Sequence, residues 1–353
     1  MGHGIGEELI GVEEAIGAIP SLARSSVAKS ESLGGGLTND NVLVTLSDGR
    51  RITLRRFRSS TTALLGYDRK AEEFCARRAH AAGVGPAVLG AVAAAEGGGH
   101  GGALALEFAP GTTLDNERMR EILTSRDGSQ SVITTIRRLH DRHRTEVDVP
   151  ATIPGVFDPL QARQRYVDKA RELRPNQDIW NGYKKAVARA APILEALAHD
   201  SEAKVPCHND LLAANFILGE GEDEEDSRRW TIIDYELAAM AEPCWELGNF
   251  VSECNLDDCP GVFATVARAY FTELDESARR TKEARIEAFS LVSKLTWAAW
   301  GALMHLQCPP PPASGEAFSF EDWSLERLQK ATAYLRDEGR VSQLVSALRH
   351  GPA

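Results

Sequence analysis

The hydrophobic spacing of this chain changes once, near Gly111, and that change limits the folds open to it. Before it, apolar residues alternate: Val42 with Val44, then Ile52 with Leu54, as half-buried antiparallel strands require. Glycines at 34 to 36 and the "SDG" at 47 to 49 supply turns between these runs. A lead-in helix is expected over residues 5 to 24, from Ile10, Val12, Ile16, Ile19 and Leu22, and a second from Thr61 to Ala82. After Gly111, stretches such as "SVITTIRRLHDRH", "PLQARQRYVDKARELR" and "SLERLQKATAYLRDE" carry helical spacing with charged opposite faces. Strand-like sequence returns only around 205 to 237. The expected class is α+β. A small β-rich N-terminal lobe with one main helix spans residues 1–108, and a larger, mostly helical lobe spans 109–353. A chain of 353 residues can fill two such cores.

The returning strand-like sequence carries the chemistry. "VPCHNDLLAANFIL" sets His208, Asp210 and Asn215 in H-x-D-x-x-x-x-N spacing, and "TIIDYE" follows with Asp234 and Glu236. Alone, H-x-D is most often structural. With Asn215 at that spacing and Asp234 at a strand end, the set fits phosphoryl transfer, which asks for positioning, Mg²⁺ and an acceptor for the attacking hydroxyl's proton. Asp210 can accept that proton, while Asn215 and Asp234 offer the oxygen ligands that Mg²⁺ prefers. His208 reads as an orienting residue of the loop.

Upstream, Gly34, Gly35 and Gly36 would let backbone approach phosphates, although a plain hairpin is the commoner use of such a turn. No Lys-Ser or Lys-Thr follows, so this is not a P-loop. Arg55, in "RITLRRF", can hold phosphate oxygens bidentately, and Glu72 on the next helix suits an ion pair with it, with Glu73 as a rival.

Bulk properties exclude other classes. A net charge of −11 and a pI near 5.4, with no basic stripe, exclude a general nucleic-acid binder. No stretch approaches the length of a membrane span, and the start lacks a basic then apolar leader, so the cytoplasm is the expected compartment. Six scattered cysteines without C-x-x-C spacing fit reduced thiols. Cys254 and Cys259 have no His or further Cys near them in sequence, so no metal site is assigned there.

From about Leu33 to near Leu335 the chain resembles the choline/ethanolamine kinase branch of the aminoglycoside phosphotransferase-like kinases. The pieces are "LGGGLTN", "ITLRRF", "DRKAEEFCARRAHAAGVGP", "LEFAPGTTL", "IRRLH", "FDPLQARQRY", "HNDLLAANF" and "IIDYELAAMAEPCWELGNFVSE". The resemblance implies a bilobal protein-kinase-like fold using ATP and Mg²⁺, with Asp210 as base and Asn215 and Asp234 as metal ligands. It extends the phosphate loop through Thr38 and Asn39, makes Arg55 and Glu72 a phosphate clamp, and places adenine on the backbone of Glu107 to Ala109. Trp297, Trp300, Phe318 and Trp323 resemble the family's aromatic cage for an amine, with Trp323 where a tyrosine is usual. Glu236 and Glu253 resemble the carboxylates beside that amine. By helical spacing alone Trp297 and Trp300 would be core. Two departures stand out: "CNLDDCPG" lacks a tyrosine that the family often carries there, and Glu246 replaces its usual aspartate. The expected activity is ATP-dependent phosphorylation of choline or a related amino alcohol. An aminoglycoside or other amine metabolite as acceptor, or an inactive kinase-fold binding protein, are the alternatives. Oligomeric state stays open, a homodimer included.

Overall fold

The computed structural model describes residues 9–34, 39–59, 62, 67–95, 100–141, 153–173, 177–199, 202–219, 230–307 and 319–350. The chain divides into two compact units. One takes in Met1–Leu114, Asp141–Pro154 and Ala214–Ala239; the other takes in Asp115–His140, Gly155–Ala213 and Met240–Ala353.

In the first unit, strands β1 (Val27–Ser32), β2 (Asn39–Leu46), β3 (Arg51–Phe57), β4 (Val88–Val92) and β5 (Ala103–Glu107) form an antiparallel sheet in the order β1-β2-β3-β5-β4. Val42 pairs with Leu54 and Val44 with Ile52, so the alternation read from the sequence becomes the core face. Against it pack Ile16, Ile19 and Leu22. The lead-in helix α1 is shorter than its apolar spacing suggested, Val12–Ala18, because Ile19 turns extended just before Pro20. Helix α2 spans Arg69–Ala81; of the stretch expected to precede it, Thr62 is helical, Tyr67 and Asp68 are not, and residues 61 and 63–66 lie outside the described residues. The Asp68 carboxylate caps α2 by accepting from the backbone N–H groups of Lys70 and Ala71.

A smaller sheet joins β6 (Thr112–Thr113), β8 (Phe216–Leu218) and β9 (Trp230–Ile232). Gly111 permits it: its φ is +137°, and a Cβ there would lie 2.4 Å from the Leu218 carbonyl oxygen. The β8–β9 register sets Phe216 opposite Ile232, and the Ile233 N–H donates to the Asn215 carbonyl at 3.0 Å.

The second unit is helical: α3 (Asn116–Thr124), α4 (Arg126–His140), α5 (Pro159–Glu172), α6 (Gln177–His199), α7 (Pro243–Glu253), α8 (Val262–Tyr270), α9 (Glu276–Gln307), α10 (Phe320–Tyr334) and α11 (Glu338–His350). A short pair, β7 (Val205–Cys207) with β10 (Ala239–Ala241), precedes the catalytic-type loop in sequence and follows it. Helix α7 is buried along its whole length, polar residues included. Gly248 lets it lie close on α9, since a Cβ there would come within 2.5 Å of the Ile286 carbonyl oxygen. Among the described residues no helix is long and apolar enough to cross a membrane, and no cysteines are bridged.

Candidate active site

Arg55 projects from β3 and is almost wholly buried. Its Nε lies 3.1 Å from Glu72 Oε1 in the first turn of α2, its Nη2 donates to Asp234 Oδ1 at 2.8 Å, and Glu236 Oε2 is 3.6 Å away. Arg69, one helical turn before Glu72, adds a second guanidinium, 2.6 Å from Glu72 Oε2 and 3.4 Å from Glu236 Oε2. Asn39 closes the group, donating to Glu236 at 2.7 Å and accepting from Arg69 at 3.0 Å. Glu73, the rival for Arg55, points elsewhere and pairs with Arg77.

This cluster sets two guanidinium groups against three carboxylates. Burial alone would lower the Arg55 pKa, but the charges of Asp234, Glu72 and Glu236 outweigh it and hold the group protonated beyond its usual range. Glu236 is pushed up to about 7, first by burial and then by the Asp234 charge. Asp234 sits at φ +72°, an uncommon conformation for a residue other than glycine, and its side chain remains 25% exposed. Asn215, ending a 3₁₀ turn, is brought beside this strand end by the β8–β9 register. Asp234 and Asn215 thus offer hard oxygen donors from adjacent ends of one hairpin, a donor set that fits Mg²⁺.

In the second unit, the loop after β7 is held from below. Glu246 of α7, fully buried, accepts from the backbone N–H of His208 at 3.0 Å and of Asn209 at 2.5 Å. His140, at the end of α4, lies 2.6 Å from the same carboxylate through Nε2 and 2.7 Å from the Tyr270 hydroxyl through Nδ1. Burial opposes ionisation of Glu246, yet the hydrogen bond and charge of His140, with the backbone N–H of His208, bring its pKa below the usual range. The Asp210 N–H donates to His208 Nδ1 at 3.2 Å, which requires that nitrogen unprotonated. Asn209, between them, has φ +65° and accepts at its side-chain oxygen from Trp245 Nε1 at 3.0 Å. Tyr166 is raised to about 12, chiefly by burial, with the Asp210 charge adding to the effect.

The tryptophans also come together. Trp300 stands edge-on to Trp297, Phe320 and Trp323, with ring centroids 6.1, 5.7 and 5.4 Å apart. Trp297 donates through Nε1 to Asn249 Oδ1 at 2.7 Å. One face of Trp323 is covered by the Arg327 guanidinium, 3.4 Å from the ring centroid, and Arg327 donates to Glu253 Oε2 at 2.6 Å. The two carboxylates matched to an amine, Glu236 and Glu253, therefore both meet cations of this chain.

Of the other predicted positions, Gly34 has φ +66° with open space at its Cα, while Gly35, Gly36, Thr38 and Phe318 lie outside the described residues. Glu107 ends β5, and its N–H donates to the Ala87 carbonyl, as that of Phe108 does to Arg51. Ala109 follows the strand.

Sequence reading singled out neither Arg69, His140, Asn209 nor Asn249. Arg69 had a usable signal, its i,i+3 spacing to Glu72. His140 closes "IRRLH" on a helix with no local sign of its partner 106 residues away.

Residues 29–282 match the phosphotransferase enzyme family. Among solved structures, a choline/ethanolamine kinase family protein from Mesorhizobium loti superposes with a TM-score of 0.68 at 24% identity, over 95% of this chain and 97% of that one. A choline kinase from Cryptosporidium parvum does so at 0.65 and 17% identity, over 91% and 93%. An aminoglycoside 2'-phosphotransferase-IIIa, in its GDP complex, does so at 0.57 and 15% identity, over 87% and 93%. These likenesses establish a kinase-like fold. No curated protein matches the chain in sequence.

Proposed function

The chain belongs to the phosphotransferase enzyme family, and on that footing we propose that it transfers the γ-phosphoryl group of ATP to the hydroxyl of choline or a related amino alcohol in the cytoplasm. The observation that carries the transfer is Asp234 at the end of β9, held by an arginine that Glu72 holds in turn. In this reading Arg55, braced by Glu72, meets phosphate oxygens, and the backbone at Ala109 receives adenine, since the N–H groups of Glu107 and Phe108 are already engaged. Mg²⁺, when bound, supplies positive charge to the phosphate oxygens, and Asp234 with Asn215 are the residues that would hold it. Asp210 takes the proton from the acceptor hydroxyl as its oxygen attacks the γ-phosphorus, the bond from that phosphorus to the β-phosphate oxygen breaks and ADP leaves, and His208 orients the loop. The two-lobe division at 1–108 and 109–353 belongs to the same reading.

The acceptor class rests on the tryptophan group. A quaternary ammonium cannot donate hydrogen bonds, so aromatic faces are what a protein can offer it. Trp297, Trp300 and Trp323 supply such faces, and the structural neighbours named as choline kinases support the reading. An assay of ADP release over choline, ethanolamine, their methylated intermediates and kanamycin tests it. Turnover with choline or ethanolamine is expected. Turnover with kanamycin alone would overturn the acceptor assignment, and no turnover with any acceptor would favour a binding protein. Trp300→Ala should raise the KM for the amine far more than that for ATP; equal effects would mean the ring is only core.

A further inference from the structure

Asn249 lies in the middle of α7 with no exposed surface, and its side-chain amide is used at both ends. Its Nδ2 donates to the Asn209 carbonyl at 3.1 Å. Its Oδ1 accepts from Trp297 Nε1 at 2.7 Å and from Ser293 Oγ at 2.8 Å. One turn earlier, Glu246 takes the N–H of the same Asn209. A single turn of α7 therefore grips Asn209 by its N–H and its carbonyl, in a left-handed conformation that costs a non-glycine residue energy. The next residue is Asp210.

We propose that Asn249 is a positioning residue that couples the tryptophan wall to the loop bearing Asp210. The Trp297 indole fixes which way the amide faces, because Oδ1 must receive the indole N–H. Nδ2 then has one direction left, toward the Asn209 carbonyl. A shift of Trp297 as an acceptor settles on the rings would move the amide and, through it, the peptide that sets Asp210. An amide suits this place because it presents an acceptor to one side and a donor to the other; alanine presents neither, and buried polar partners left unpaired are costly. Gly248 makes the arrangement possible by letting α7 lie close on α9. The inference rests on the reading above for the roles of Trp297 and Asp210.

The test compares Trp297→Phe, Asn249→Ala and the double variant. Trp297→Phe keeps an aromatic ring and removes only the N–H donor. It should lower kcat about tenfold while changing the KM for the amine less than threefold and leaving that for ATP within twofold. The double variant should be no slower than Asn249→Ala alone, because both break one path. An unchanged kcat in Trp297→Phe, or single effects that multiply, would overturn the coupling. Amide hydrogen exchange at Asn209 and Asp210, measured on wild type and Trp297→Phe without acceptor or nucleotide, keeps the test independent of the assigned reaction and of whether Asn249→Ala folds. Exchange about tenfold faster in Trp297→Phe is expected at those two amides, with other α9 contacts unmoved. Identical exchange would overturn the coupling even if no amine is turned over, whereas faster exchange without amine turnover would remove only the acceptor assignment.

Discussion

Two buried charge clusters, one in each compact unit, are built from similar groups and end in opposite states. Around Arg55, two guanidinium groups face Glu72, Asp234 and Glu236, carboxylate charge is in excess, and Asp234 keeps a quarter of its side chain exposed. Around Glu246, one carboxylate meets His140 and two backbone N–H groups with no exposure at all. Their pKa shifts run opposite ways, Glu236 up to about 7 and Glu246 below its usual range. The first cluster holds charge that a ligand can answer. The second is closed and spends its charge on holding backbone.

The contrast can be attacked by substitution. The largest effect should come at Asp210, the residue whose loop the closed cluster holds: Asp210→Ala should cost about 10² to 10⁴ in turnover while Mg-ATP binding, followed by calorimetry, stays near wild type. Turnover near wild type would remove Asp210 from the base role. Next, Glu246→Ala leaves His140 and two loop N–H groups buried without their carboxylate, so urea denaturation should show a loss of about 3 to 5 kcal/mol. A loss under about 1 kcal/mol would mean the cluster is not closed as described. Asp234→Asn should behave in reverse. Activity falls about 10²-fold or more, because the amide would hold the charge-neutralising Mg²⁺ less well than the carboxylate does. The midpoint of thermal unfolding holds or rises, because a like charge beside Glu236 is gone; a large drop in stability would place Asp234 with the structural groups.

The smallest effect is the dependence on pH, and its sign separates the clusters. Because the folded state holds the Glu236 proton up to about pH 7, it binds more protons than the unfolded chain between about 4.5 and 7, so this group's contribution falls as pH rises through that window. Glu236→Gln should flatten the decline, by on the order of 1 to 3 kcal/mol. Glu246 is lowered, so its contribution is present above the ordinary 4.5 and is lost as pH falls through the lower folded value. Stability curves for Glu236→Gln and Glu246→Gln that shift in the same direction would break the distinction.

Much of this was legible in the sequence, and the limits have physical reasons. The strands around Val42, Val44, Ile52 and Leu54 announced themselves because one face of the sheet is core, which forces alternation. Helix ends were harder: Asp68 begins α2 by capping, and apolar spacing carries no trace of a cap. Helix α7 hid for another reason. It is buried on all sides, so it has no charged face to set a period, and its polar residues are explained only by partners far along the chain. Asp234 and Arg55 stood out by residue type and by their positions at a strand end and on a strand. Residues that act by gripping backbone, Glu246 and Asn249 above all, look in sequence like misplaced polarity in a core. Arg327 is a further case: nothing in "SLERLQKA" says that its guanidinium lies on Trp323 and Glu253.

Among the described residues, the non-glycine positions with left-handed backbone are Asn209, Asp234 and Asn255. Two of these adjoin or are residues to which the proposed reaction gives a role, and the shape has a consequence for how this chain can drift. At such a position the backbone tolerates asparagine, aspartate and glycine, and penalises a β-branched residue by roughly 1 to 2 kcal/mol before any contact is lost. The substitution spectrum at 209 and 234 is thus narrowed twice, once by conformation and again by hydrogen bonding. Most of the surface helices carry neither restriction. A lineage of this protein could rewrite its exterior extensively while these two loop corners admit almost no alternative letters.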